Sequence, residues 1–145
     1  MVLAKAKEDR VILIPLSIFL DRSVSVLEAV SEYLKDSKEL SYHEIAVILN
    51  RDDRTIWTCY NRAKKKNPGH VVKLAESKEH IPSTIFLDRE VSVLEAIVEY
   101  LKDKKKMSYH DMAVLLNRDD RTVWTCYNRA KKKRLNFLQE KGTKK

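Results

Sequence analysis

The stretch LSYHEIAVILNRDDRTIWTCYNRAKKK, residues 40–66, returns almost unchanged as MSYHDMAVLLNRDDRTVWTCYNRAKKK at residues 107–133. Each copy reads as two short helices joined by a tight turn. Ser41 followed by Glu44 is a capping-box pattern that opens the first of the two, and Ser108 with Asp111 is its weaker counterpart. Ile45, Ala46, Ile48 and Leu49 fall on one side at helical spacing. Asn50-Arg51 forms the turn, since Asn is among the few non-glycine residues that tolerate a left-handed backbone. Asp52 then caps a second helix whose inner positions are Ile56, Tyr60 and Ala63.

Working outward, the repetition extends to residues 14–66 against 81–133, an offset of 67 with 41 of 53 positions identical. Ahead of each helix pair lies a third helix, capped by Ser25 with Glu28 or Ser92 with Glu95. Its apolar stripe is Leu27, Val30 and Leu34. The apolar, proline-containing run 14–19 reads as an extended arm that packs onto the bundle. The expected fold is therefore all-α: two tandem three-helix helix-turn-helix modules joined by a short linker. The divisions are an N-terminal arm (1–13), a first module (14–66), a linker (67–80), a second module (81–134) and a basic tail (135–145). Asn67-Pro68-Gly69 is the stop signal that opens the linker.

Composition narrows the function. Across 145 residues the formal net charge is +8, so an anionic partner is the first expectation. The lone cysteines Cys59 and Cys126, one in each copy, offer neither a disulfide framework nor a zinc site. No nucleophile–base pair, phosphate loop or metal cluster is legible, so no enzyme, metal or cofactor is expected. The apolar run 11–20 is too short to span a bilayer. A cytoplasmic protein associated with the nucleoid, and with no membrane partner, is the expectation.

A short helix pair of this kind places its second helix in the major groove of DNA. The copy at 40–66 resembles the region-four helix-turn-helix of bacterial sigma factors. The likeness lies in Leu40, Ser41, Tyr42, Glu44, Ile45, Ala46, Leu49, Arg51, Thr55, Arg62, Ala63 and Lys65, and the second copy matches with Asp111 and Met112 in place of Glu and Ile. It covers about half of each repeat closely. The chain departs from the pattern at Asn50, at the Asp52-Asp53 pair and at Trp57. The resemblance implies DNA contacts at Arg51, Asp53, Arg54, Thr55, Trp57, Thr58 and Arg62. Asn61 joins them on the polar side of the helix, and Lys64, Lys65 and Lys66 suit phosphates. In the second copy the set is Arg118, Asp120, Arg121, Thr122, Trp124, Thr125, Asn128, Arg129, Lys131, Lys132 and Lys133. Ser41, Tyr42 and His43, with Ser108, Tyr109 and His110, are further candidates for phosphate contact.

From Asn50 to Lys66 only Ile56 changes, to Val123, so both modules should prefer the same short sequence. A linker of about 14 residues reaches roughly 46 Å, more than the 34–36 Å between half-sites on one face of a duplex. One chain then acts as a covalent pseudo-dimer, with direct or inverted half-sites left open by a flexible linker. The leading expectation is double-stranded DNA binding in transcriptional regulation. The alternatives are a nucleoid-associated coating or bridging protein, which can self-associate, and a module docking onto RNA polymerase or other transcription proteins.

Overall fold

The computed structural model describes residues 11–66 and 79–143. In each repeat a short strand and a 3-10 turn precede three helices. The first repeat has β1 (Leu13–Pro15), a 3-10 turn (Leu16–Leu20), α1 (Val26–Asp36), α2 (Tyr42–Leu49) and α3 (Asp53–Lys66). The second has β2 (His80–Pro82), a 3-10 turn (Ser83–Leu87), α4 (Val93–Asp103), α5 (Tyr109–Leu116) and α6 (Asp120–Thr143). The described residues are mainly helical, with one two-stranded sheet among them. Among the described residues no helix is long and apolar enough to cross a membrane.

Local chemistry starts these helices where expected. Ser25, Ser41 and Ser92 accept from the backbone N–H three residues on, and Glu28, Glu44 and Glu95 close the capping box in return. Ser108 caps α5 in one direction only; the Asp111 side chain is one methylene shorter than that of Glu44. Asp52 and Asp119 accept from the N–H groups of Thr55 and Thr122 at 2.8 and 2.9 Å. Each such cap contributes about 1 kcal/mol.

The two repeats share one core. β1 and β2 pair antiparallel, with Ile14 opposite Ile81 and both fully buried. Leu34, Ile45 and Ile56 from the first repeat join Phe86, Leu101 and Met112 from the second in the same apolar cluster. The 3-10 turn of each repeat also packs on the other repeat's middle helix, Leu16–Leu20 on α5 and Ser83–Leu87 on α2. This corrects the picture of an arm folded onto its own bundle: the arm does pack on its own first helix, but it also crosses to the neighbouring repeat. The cause is burial. Ile14, Leu16 and Phe19 are 0–2% exposed, and covering a large aliphatic or aromatic side chain is favourable by about 1.5–3 kcal/mol.

α1 and α4 also touch across the repeats. Here Ser31 and its counterpart Val98 are both fully buried, and the Ser31 hydroxyl finds no hydrogen-bond partner among the described residues.

A second difference lies at the C-terminus. α6 runs on to Thr143, through most of the segment read as a tail, whereas α3 ends at Lys66. Arg134 ties the continuation down with ion pairs to Asp88, Glu90 and Glu99. The first repeat instead meets Asn67-Pro68-Gly69 at this point, and proline cannot continue a helix. The linker positions 67–78 lie outside the described residues.

Candidate nucleic-acid interface

The α2–α3 turn is built around a residue few side chains replace. Asn50 sits at φ 54° and ψ 49°, and Asn117 at φ 52° and ψ 49°, both left-handed. Beyond tolerating that backbone, each side chain reaches the other repeat. The Asn50 amide donates to the Leu87 carbonyl at 2.7 Å, and the Asn117 amide to the Leu20 carbonyl at 2.7 Å.

Arg51 is half-buried and donates to the carbonyls of Leu49 at 2.8 Å, Asn50 at 3.2 Å and Phe86 at 3.3 Å. Arg118 repeats the first two of these bonds at 2.8 and 3.3 Å. Burial, then the nearby charge of Arg89, lowers the Arg51 guanidinium below its ordinary value. The sequence reading assigned Arg51 and Arg118 to DNA. Their geometry makes them braces for the turn as well.

α3 buries Ile56 and Ala63, and α6 buries Val123 and Ala130. Tyr60 is half-buried, its ring edge-on to Tyr42 with centroids 5.9 Å apart. The opposite side carries Arg54, Trp57, Thr58, Asn61, Arg62 and Lys65, steps of three, one, three, one and three that form a single helical stripe. All but Thr58, which is intermediate, are exposed. The second stripe is Arg121, Trp124, Thr125, Asn128, Arg129 and Lys132, with Thr125 intermediate. Trp57 is 54% exposed and Trp124 53%, so the tryptophans belong to the outer surface and not the core. Asn61 and Asn128 donate to the carbonyls of Trp57 and Trp124.

An open hollow runs along each stripe. One is lined by Asp52, Arg54, Thr55, Thr58, Cys59 and Arg62, and the other by Asp119, Arg121, Thr122, Thr125, Cys126 and Arg129. Burial pushes the Cys59 and Cys126 thiols up, away from the reactive thiolate form. Among the described residues, Arg54, Arg62 and Lys65 pair with no carboxylate, nor do Arg121, Arg129 and Lys132.

The remaining lysines are differently placed. Lys64 pairs with Asp36 and with Glu32, the latter at 3.2 Å. Lys66 reaches Glu28 at 2.6 Å. Lys131 takes Asp103 and Glu99, and Lys133 takes Glu95 at 2.6 Å. These carboxylates form an acidic ridge on the first helix of each repeat, at positions 28, 32, 36 and 95, 99, 103. Their spacing of four is legible in the sequence and puts like charges on one helix face, where cations from another element are needed to offset the repulsion. Lys64, Lys66, Lys131 and Lys133 therefore clamp the fold by ion pairs, although Lys66 and Lys133 stay exposed, whereas Lys65 and Lys132 are exposed and pair with no carboxylate among the described residues.

The acidic start of α3 and of α6 is also partnered. Asp53 lies 3.2 Å from His43 Nδ1, and Asp120 lies 3.3 Å from His110 Nδ1, so neither carboxylate is held by the neighbouring arginine. Bonds from the Thr55 hydroxyl and amide, with a smaller contribution from the Arg89 charge, hold the Asp52 carboxyl below the usual range. Asp119 is held the same way by Thr122, with Arg22 contributing. The charge of an exposed arginine of the other repeat, Arg89 or Arg22, is thus felt at each helix start, an influence absent from the sequence-based expectations. Nothing in a linear pattern brings residue 89 to residue 52.

Ser41 and Ser108 are engaged as caps, and Lys35 and Lys102 sit over the rings of Tyr42 and Tyr109 at 4.6 and 4.7 Å. Burial, with donation to Asp36, pushes the Tyr60 hydroxyl up to about 12. No group of His, Cys, Asp or Glu among the described residues is arranged to hold a metal ion.

No family model, curated protein or solved structure matches the chain.

Proposed function

We propose that the protein binds double-stranded DNA, laying the stripes of α3 and α6 into the major groove, and acts in transcriptional regulation at the nucleoid. The observation that carries this reading is the pair of stripes. Each combines exposed arginines that meet no carboxylate among the described residues, at both ends of the hollow, with a lysine at the next turn, on a helix that follows a tight turn. Arg54 and Arg62 can donate in bidentate fashion to guanine edges, Asn61 and Thr58 offer further hydrogen-bonding groups, and Lys65 suits a phosphate. Arg22 and Arg89 add cations beside the helix starts. The sigma region-four likeness of residues 40–66 agrees with this use.

Affinity for a mixed 30-base-pair duplex, measured from 50 to 200 mM salt, tests the proposal. Linear loss of log K with log salt is expected, with a slope reporting several neutralised phosphates. Absence of binding at 50 mM salt would refute it. The exposed Trp57 and Trp124 favour a second reading, docking onto a transcription protein, because aromatic side chains are enriched at protein interfaces. Under that reading both tryptophans are required for capture of the polymerase and neither for duplex binding.

A further inference from the structure

We infer that the DNA partner carries two identical half-sites in inverted orientation about a dyad, not a direct repeat. This rests on the duplex-binding reading above and adds the symmetry of the target.

The argument begins at the strand pair. Ile14 lies opposite Ile81, which is its own counterpart under the offset of 67 residues. Leu13 lies opposite Pro82 and Pro15 opposite His80, and these two pairs exchange under the same offset. The register is thus symmetric about the Ile14–Ile81 pair. The flanking backbone bonds obey the same rule, Leu16 N–H donating to Glu79 at 3.1 Å and Ser83 N–H to Ile12 at 2.8 Å.

Farther out, the bond from Asn50 to Leu87 is mirrored by that from Asn117 to Leu20. Reciprocal contacts of this kind are the mark of a twofold relation, in which residue i meets j and j meets i. A head-to-tail arrangement would pair the strands in parallel and leave the bonds unreciprocated. The dyad is fixed by backbone and by shared core, so the segment 67–78 does not choose the orientation.

Two readers related by a dyad meet the two strands of one duplex with opposite polarity, which is why dimeric helix-turn-helix proteins pair with palindromic sites. The readers here are also equal. Residues 50–66 and 117–133 differ only at Ile56 and Val123, both buried, so no exposed position distinguishes them.

Selection of duplexes from a random pool by the full chain, followed by sequencing, decides the matter. The expected product is one motif present twice, inverted, at a constant spacing. Resynthesised with one half-site reversed into a direct repeat, that duplex should bind at least 10-fold more weakly. Enrichment of a direct repeat, of a lone half-site or of no motif would overturn the inference while leaving duplex binding intact. So would equal affinity for the two resynthesised duplexes. Failure to retain any duplex at 50 mM salt would overturn the duplex-binding reading, and the inference with it.

Discussion

The side-chain amide of Asn50 donates to the main-chain carbonyl of Leu87 at 2.7 Å, so the turn before α3 is held by the 3-10 segment of the other repeat. Asn50 therefore has two tasks, a left-handed backbone and an inter-repeat tie. Substitution separates them. Asn50→Gly with Asn117→Gly keeps the backbone freedom and loses two hydrogen bonds, at a cost of about 1 kcal/mol each. Asn50→Ala with Asn117→Ala adds the steric penalty of the left-handed region, about 1–2 kcal/mol per site. Urea midpoints should fall in the order native, Gly pair, Ala pair. Equal midpoints for the two variants would contradict this account of the turn.

Because Ile14 and Ile81 meet within one core, the repeats should unfold together. A single urea transition, coincident by helical circular dichroism and tyrosine absorbance, is expected. Ile14→Ala and Ile81→Ala should each destabilise the whole described body by about 2–5 kcal/mol. Two resolved transitions, or one variant affecting half the helical signal, would show that the repeats are independent.

Acid should weaken the fold. Bonds from Thr55 and from Thr122 depress Asp52 and Asp119. In Glu95 and Asp103 burial acts to raise the carboxyl, but the bonds from Lys133 and from Lys131 and Tyr127 outweigh it, so both are also lowered. A carboxyl held lower in the folded state than in the unfolded chain contributes stability that is complete above the ordinary range, about 3.9–4.3, and lost as pH falls through the folded value. The unfolding midpoint should be flat from pH 7 to about 5 and decline below about 4. A midpoint that rises on acidification would contradict the ion-paired ridge.

Neighbouring lysines should behave differently. Lys66 and Lys133 pair with buried carboxylates of Glu28 and Glu95. Lys65 and Lys132 are exposed. Lys66→Ala with Lys133→Ala is expected to lower the thermal midpoint by several degrees, because each leaves a buried carboxylate without its cation. Lys65→Ala with Lys132→Ala should leave the midpoint within a degree or two and reduce the salt slope of duplex binding by about 1.8. Calorimetry and salt titration of the two variants distinguish the roles.

These contrasts show what a linear reading reaches. Helix starts at Ser25 and Ser41, the Asn50 turn and the buried face of α3 follow from short-range spacing, and all were legible. The exchange of arms was not, because the apolar run 14–19 needs cover but carries no mark of which bundle supplies it. The bracing by Arg51 was hidden for the same reason: its acceptors include the Phe86 carbonyl, 35 residues away. The lysine run looked uniform in sequence. Only the carboxylates of the first helix in each repeat sort it into clamps and a lysine with no carboxylate partner among the described residues.

Duplex binding by Arg54→Ala with Arg121→Ala tests the central claim most directly, because both side chains are exposed and hold no described carboxylate. Measured with the selected duplex at fixed salt, affinity should fall by at least 100-fold while the unfolding midpoint stays within error of the native chain. Unchanged affinity and selectivity in that variant, with the fold intact, would contradict the assignment of α3 and α6 as the helices that read DNA.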